Sequence, residues 1–348
     1  MTMSRAAGRT RATIFAPRID ELLRRYGGAD LFRLEPGTIG IAGAGLMDTI
    51  LRSRPATAAE RPTFKPVHGR PVSRADGSAF MQAVSSDVRA ALRKPIDESP
   101  DLSGQWPHVA HVYLRDLVFG RERLRFRVLV DRRLELTPKL TWSAVAAGAA
   151  LFAKPGPPVP LSRLASLVYD ATTYDDRRYA MYLYRRVAGP VCFTVAALAT
   201  NALWLGWPFG DDVPNRNILL ETLRLLPPSW NILRVASPEF PAVDSRIGEK
   251  DDILLLPLLS HRDPRLWHDP EEFRPDRWDD LDPETHPGYL PFGHASERCW
   301  GRRMVMPLAA RLLDIMRHDG LAVSPRQATG KVELDGLLEV SRVHVTRR

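Results

Sequence analysis

The stretch Leu290-Pro291-Phe292-Gly293-His294-Ala295-Ser296-Glu297-Arg298-Cys299-Trp300-Gly301 is followed at once by a helical pattern. A Phe-Gly segment forms a turn, and Cys299 stands just ahead of the helix start. A helix N-terminus offers unsatisfied N–H groups and about half a unit of positive charge. Both stabilise an anionic sulfur and lower its pKa. Cys299 is therefore the candidate thiolate of the chain.

A second signal lies upstream. In Glu221-Thr222-Leu223-Arg224 the acid and the base are spaced i, i+3, so they share one helix face and can pair. Alone, such a pair is surface decoration worth a few tenths of a kcal/mol. A third segment, Asp269-Pro270-Glu271-Glu272-Phe273-Arg274-Pro275-Asp276-Arg277-Trp278, gives the pair company. Between the two, Asn231-Ile232-Leu233-Arg234-Val235-Ala236 reads as a strand carrying one inward cation.

Glu221–Arg224, Asp269–Trp278 and Leu290–Gly301, in this chain order, resemble the cytochrome P450 family. Its haem-binding loop reads Phe-Gly-x-Gly-x-Arg-x-Cys-x-Gly; Phe292, Gly293, Cys299 and Gly301 fit it, while Ala295 and Glu297 do not. The resemblance implies a mainly α fold with a minor β-region and shortened lid helices. It implies haem b, with Cys299 as the axial thiolate that pushes electron density onto the iron and favours O–O cleavage. Phe292 would pack beside the sulfur and help shield it, Gly293 and Gly301 would complete the cofactor-binding loop motif, and Arg298 would partly replace the missing signature Arg. Arg234 would bind a propionate through its planar fork. Glu221, Arg224 and Arg277 would form a buried network near the loop, costly to break at any member. Trp300 has two readings, a packing residue or a donor that tunes the iron. His261 and His294 read as turn residues rather than metal ligands.

The sequence departs from the family on the distal side. The usual Ala-Gly-x-(Asp/Glu)-Thr is replaced by Ala188-Gly189-Pro190-Val191-Cys192-Phe193-Thr194. Aligned on Ala-Gly, Cys192 stands for the Thr; aligned on Leu198, Cys192 stands for the acid and Phe193 for the Thr. Cys192 and Thr194 are the candidate catalytic side chains, Thr194 as a substitute alcohol in the neighbourhood of the second register, and in either register the acid is missing. Pro190 removes a helix N–H and is expected to kink the helix. In the helix that starts near Asp76-Gly77, Phe80 and Val84 stand where the resemblance expects a His and an Arg for the propionates. Leu337 and Leu338 are expected to line the distal face from a C-terminal loop.

The bulk numbers fit a globular protein. The 348 residues carry 44% hydrophobic and 26% charged side chains, with a net charge of +8. Two Cys exclude a disulfide framework or a multi-Cys zinc site and suit a reducing cytoplasm. No apolar run approaches about 18 residues, so no membrane span is expected, and the reading is a cytoplasmic, bacterial-type member. The positive charge reads first as a solvated Arg-rich surface, then as a patch for an acidic electron-transfer partner, and least as a nucleic-acid face.

Residues 1–12 read as a basic flexible tail and 13–348 as one domain. Helices are expected over 16–26, 47–52, 79–93, 108–119, 141–152 and 176–206, with strands near 32–34 and 38–42 around a Pro36-Gly37 turn. The function expected first is a haem-thiolate monooxygenase tailoring an apolar or amphipathic natural-product intermediate, with a ferredoxin docking near Arg298, Arg302 and Arg303. The alternatives are a redox-neutral haem isomerase, dehydratase or cyclase, and a non-catalytic helper that activates a partner enzyme. The substrate is small or carrier-bound.

Overall fold

The computed structural model describes residues 11–53, 67, 69–96, 100–120, 130, 162–294 and 298–347. The expected helix over 141–152 lies outside the described residues, as do Ala295, Ser296 and Glu297.

Helices α1 (Pro17–Tyr26), α2 (Ala44–Arg52), α3 (Arg74–Leu92) and α4 (His108–Phe119) lie where apolar spacing predicts them, with starts shifted by a few residues. They are followed by α5 (Arg163–Tyr169), α6 (Tyr174–Gly206), α7 (Asn215–Leu225) and α8 (Arg302–His318). The axis of the fold is α6. Thr173 accepts a hydrogen bond from the Asp176 N–H, and Asp175 and Asp176 complement the helix dipole in the first turn. The helix then runs for 33 residues and remains helical across Pro190. Contrary to the expectation from apolar runs, it is long and apolar enough to cross a membrane. With 89% of its apolar window buried, it serves as the central core helix of this fold.

Strands β2 (Leu31–Glu35) and β3 (Thr38–Ile41) form an antiparallel hairpin. Gly37 makes the turn, with φ +79°. β5 (Ile232–Arg234) and β6 (Asp252–Leu255) complete a four-stranded sheet of order β2-β3-β6-β5. Arg234 sits at its edge, in register with Ile253. Strand β4 (Gly104–Trp106) joins β7 (Leu321–Val323) and β10 (Val343–Arg347) in another sheet.

The remaining sheet corrects the expected tail. β1 (Ala12–Phe15) pairs in parallel with β8 (Thr329–Asp335), which pairs with β9 (Leu337–Val340). Arg11 donates to the carbonyls of Leu203 (3.1 Å) and Trp204 (3.2 Å), capping the C-terminal end of α6. The Trp204 indole in turn donates to Thr13 Oγ1 at 2.8 Å. Arg11 and Ala12, placed in the tail by composition, are thus part of the packed structure. Charged hydrogen bonds are worth about 1.5–3 kcal/mol each before side-chain ordering is charged against them. Arg11→Ala is expected to cost roughly 1–2 kcal/mol in urea unfolding; an unchanged midpoint would show that the cap contributes nothing.

Asn201, fully buried on α6, donates to the carbonyls of Leu226 (3.0 Å) and Leu338 (3.1 Å) and accepts from the Val340 N–H (2.9 Å). One side chain thereby ties α6, the chain after α7, and β9. The same clasp turns Leu338 into the core rather than toward the distal face; neither Leu337 nor Leu338 lines the cavity described below.

Candidate active site

The buried charged network is complete. Glu221 accepts from five donors: Arg224 Nη2 (2.7 Å) and Nε (3.0 Å), Arg277 Nε (3.1 Å), the Trp278 indole (3.0 Å) and the Arg274 backbone N–H (2.9 Å). The remaining N–H groups of Arg224 go to the carbonyls of His261, Pro270 and Glu272 at 2.6–2.8 Å. Glu221 and Arg224 are fully buried, so each charge is neutralised and every lone pair has a donor. The network joins α7 to the turn of 3₁₀ helix Pro275–Asp279 and to the chain leading into the Cys299 loop.

His261 extends that scaffold. Expected as an ordinary turn residue, it is fully buried, and its Nε2 accepts from the Leu290 N–H at 3.0 Å, where the Cys299 loop begins. Burial, with the nearby Arg224 charge, pushes its pKa down to about 3. The imidazole is neutral in the fold and must be, because a protonated Nε2 could not accept. An unfolded His titrates near 6.5. The unfolded chain therefore binds the extra proton first as pH falls, and stability held in full above about 6.5 is lost between there and about 3. His261→Gln, which keeps an acceptor for Leu290, is expected to flatten that part of the stability–pH profile; a slope equal to wild type would mean another group titrates there.

The loop itself is shaped by its backbone. Gly293, at φ +79°, donates to Leu290 O (3.1 Å), and the Cys299 N–H closes back on Phe292 O (2.8 Å). Gly301 caps α8, so Cys299 stands two residues before the cap with its side chain exposed. Trp300 is half exposed, which limits any packing role.

Above the loop is a cavity of about 410 Å³. Cys299, Phe292, Gly293, Gly301 and Arg234 are among the residues that line it. The facing stripe of α6 carries Pro190, Thr194 and Leu198. The spacing i, i+4, i+8 is one face of a helix. Cys192 is off that stripe: it is fully buried, it does not line the cavity, and burial pushes its thiol pKa up. Phe193 is likewise turned away and stacks on His111. Neither alignment of the distal motif identifies the residues that face the cavity. The helical phase does, and it selects Thr194.

The cations divide between two places. Arg234 and His294 are the basic residues among the cavity's described lining, and His294 pairs with Asp48 at 3.0 Å. Phe80 and Val84 lie in the core. Arg298, expected to support the cofactor, is absent from the cavity lining; it belongs to a groove behind the loop, where it and Arg302 both pair with Glu284. Sequence spacing offered no means of finding Glu284 or His261, because both act through contacts far along the chain.

This donor set fits haem: one exposed cysteine, a largely aliphatic lining with Leu51, Leu198, Leu223 and Val305, and an arginine among the lining residues for a carboxylate. Cys299 would ligate the iron, Arg234 would hold a propionate, and Pro190 and Thr194 would face the opposite side.

Comparison with known proteins agrees. The Cytochrome P450 family model matches residues 216–314. Cyclooctatin synthase of Streptomyces melanosporofaciens is 36% identical over 96 residues, 26% of this chain and 21% of that protein. Cyclooctat-9-en-7-ol 5-monooxygenase of the same organism is 37% identical over 100 residues, 27% of this chain and 22% of that protein. The matched stretch thus spans about a fifth of either relative's length. Among solved structures, a mutant of P450 EryK superposes with a TM-score of 0.61 over 95% of this chain and 96% of that one, at 17% identity. Streptomyces peucetius CYP105P2 superposes with a TM-score of 0.58 over 99% and 98%, also at 17% identity. Residues 216–314 thus match the Cytochrome P450 family model, and over nearly its whole length the chain has the fold of bacterial cytochromes P450.

Proposed function

We propose that the protein is a haem-thiolate tailoring enzyme acting on an apolar or amphipathic natural-product intermediate. The observation that carries this reading is the exposed Cys299 lining a largely aliphatic cavity together with Arg234 and the Thr194 stripe of α6. The haem, once bound, supplies the oxidising chemistry. The chain's own contribution is to hold the sulfur through the Gly293 turn and the Cys299 N–H bond to Phe292, to hold a carboxylate on Arg234, and to exclude water with leucine and proline. Thr194 is the one hydroxyl on the α6 stripe, and no acid accompanies it there. It would relay protons from water or from substrate groups. The matched relatives include a monooxygenase, and the superposed structures include a hydroxylase of himastatin biosynthesis; both names favour a tailoring role. Electrons would come from a ferredoxin meeting the Arg298, Arg302 and Arg303 side, and the setting would be the cytoplasm.

A general acid is worth about 10²–10⁴-fold in rate. Thr194→Ala is therefore expected to lower oxygen-driven turnover at least tenfold while sparing peroxide-driven turnover. The primary test is the spectrum of the reduced, carbon monoxide-treated protein, where a thiolate-type band is expected; a colourless preparation sinks the reading. A second reading rests on one observation. The α6 stripe carries no ionisable group, which suits a redox-neutral haem isomerase, dehydratase or cyclase. Turnover that needs neither reductant nor peroxide would favour it.

A further inference from the structure

A groove of about 880 Å³ lies behind the Cys299 loop, within the roughly 300–1,000 Å³ range of small-ligand pockets. Residues of α2 form one side, and the chain from Pro283 to Gly288 forms another. Leu220, Tyr289 and Met306 supply apolar surface. Its described lining carries five arginines, Arg52, Arg216, Arg298, Arg302 and Arg303, against two carboxylates, Asp48 and Glu284.

The placement of these cations is informative. Asp48 pairs with Arg52 and His294, and Glu284 alone is shared by Arg298 and Arg302. Arg216 and Arg303 have no ion-pair partner among the described residues, and both are exposed. Arg216 lies in the first turn of α7, and Arg302 and Arg303 in the first turn of α8; neither turn contains an acid. Cations at a helix N-terminus oppose the macrodipole, so helix stability does not account for them. An anion placed there meets the guanidinium groups and the positive ends of both helices.

We infer that this groove binds a small polyanion bearing two or more phosphate or carboxylate groups, with Glu284 occupying part of its place at rest. Leu290, Pro291, Phe292, Gly293 and His294 line both the groove and the Cys299 cavity. A ligand in the groove therefore presses on the back of the thiolate loop. It also covers the arginines that an acidic protein partner would use, so ligand and partner compete.

The test is calorimetric titration of the purified protein with inorganic pyrophosphate and, separately, with citrate, which distinguishes phosphate from carboxylate ligands. Saturable one-to-one binding by at least one is expected. Arg216→Gln combined with Arg303→Gln should weaken it about tenfold or more, and Glu284→Gln should tighten it. The variants should melt like wild type, since the altered side chains are exposed or partly exposed. Absence of saturable binding, or binding unaltered in the double variant, overturns the inference. Binding of a bacterial [2Fe–2S] ferredoxin with no response to either anion also overturns it, and assigns the face to protein docking instead. The heat of binding is independent of haem, so a colourless preparation would remove the tailoring reading while leaving this one standing.

Discussion

Glu221→Ala is expected to leave a protein without a cooperative unfolding transition at ordinary temperature. The carboxylate accepts five hydrogen bonds inside a fully buried site, and its removal strands Arg224, also fully buried, beside Arg277 with no counter-charge. Breaking a buried pair costs about 3–5 kcal/mol. Domains hold only about 5–15 kcal/mol in total. Two donors beyond the arginines, the Trp278 indole and the Arg274 N–H, lose their acceptor as well. Glu221→Gln keeps the shape but turns an NH₂ group toward donors, so it should recover only part of the loss. The comparison variant is Arg24→Ala, whose partner Asp20 forms an exposed pair on α1. Exposed pairs of this kind are worth about 0–1 kcal/mol, and this variant should melt close to wild type. If Glu221→Ala and Arg24→Ala melt alike, the network is decorative and the account of the scaffold is wrong.

The second large effect is spectroscopic. Cys299→Ser is expected to abolish the thiolate-type band of the reduced carbon monoxide complex, and Cys192→Ala to leave it intact. Only one of the two sulfurs lines the cavity. Cys192 sits on the far side of α6, where burial keeps its thiol protonated. A neutral thiol with no exposure is a poor ligand, because the thiolate is the ligating form. Loss of the band in Cys192→Ala with retention in Cys299→Ser would reverse the assignment.

Much of this protein was legible from short spacings. Glu221 and Arg224 at i, i+3 share a helix face whatever surrounds them, and Arg277 completes the pattern in the later segment. The Phe292 to Gly301 run announces a turn followed by a helix start, because glycine at positive φ and a residue ahead of a helix are local features. The hairpin around Pro36-Gly37 and the helix over 108–119 are also local, and they lie where the periodicity puts them.

What the sequence determined by itself is therefore the family chemistry of the proximal side: a cysteine in a turn before a helix, and an acid–arginine network to brace it. The place of the cysteine and the Glu221–Arg224 pairing follow from backbone geometry within a few residues, while Arg277's part in the network is what the family resemblance implies. The tertiary structure decided which side chains reach the cavity. On a helix, two residues of offset is about 200° of rotation, so Thr194 and Cys192 point opposite ways, and packing on α4, α7, α8 and β9 sets the phase. It also decided that His261 is neutral and holds Leu290, that Arg298 serves the groove with Glu284, and that Arg11 caps α6 from the chain's other end. Each of these contacts spans a large sequence distance or a change of environment, and burial has no local code.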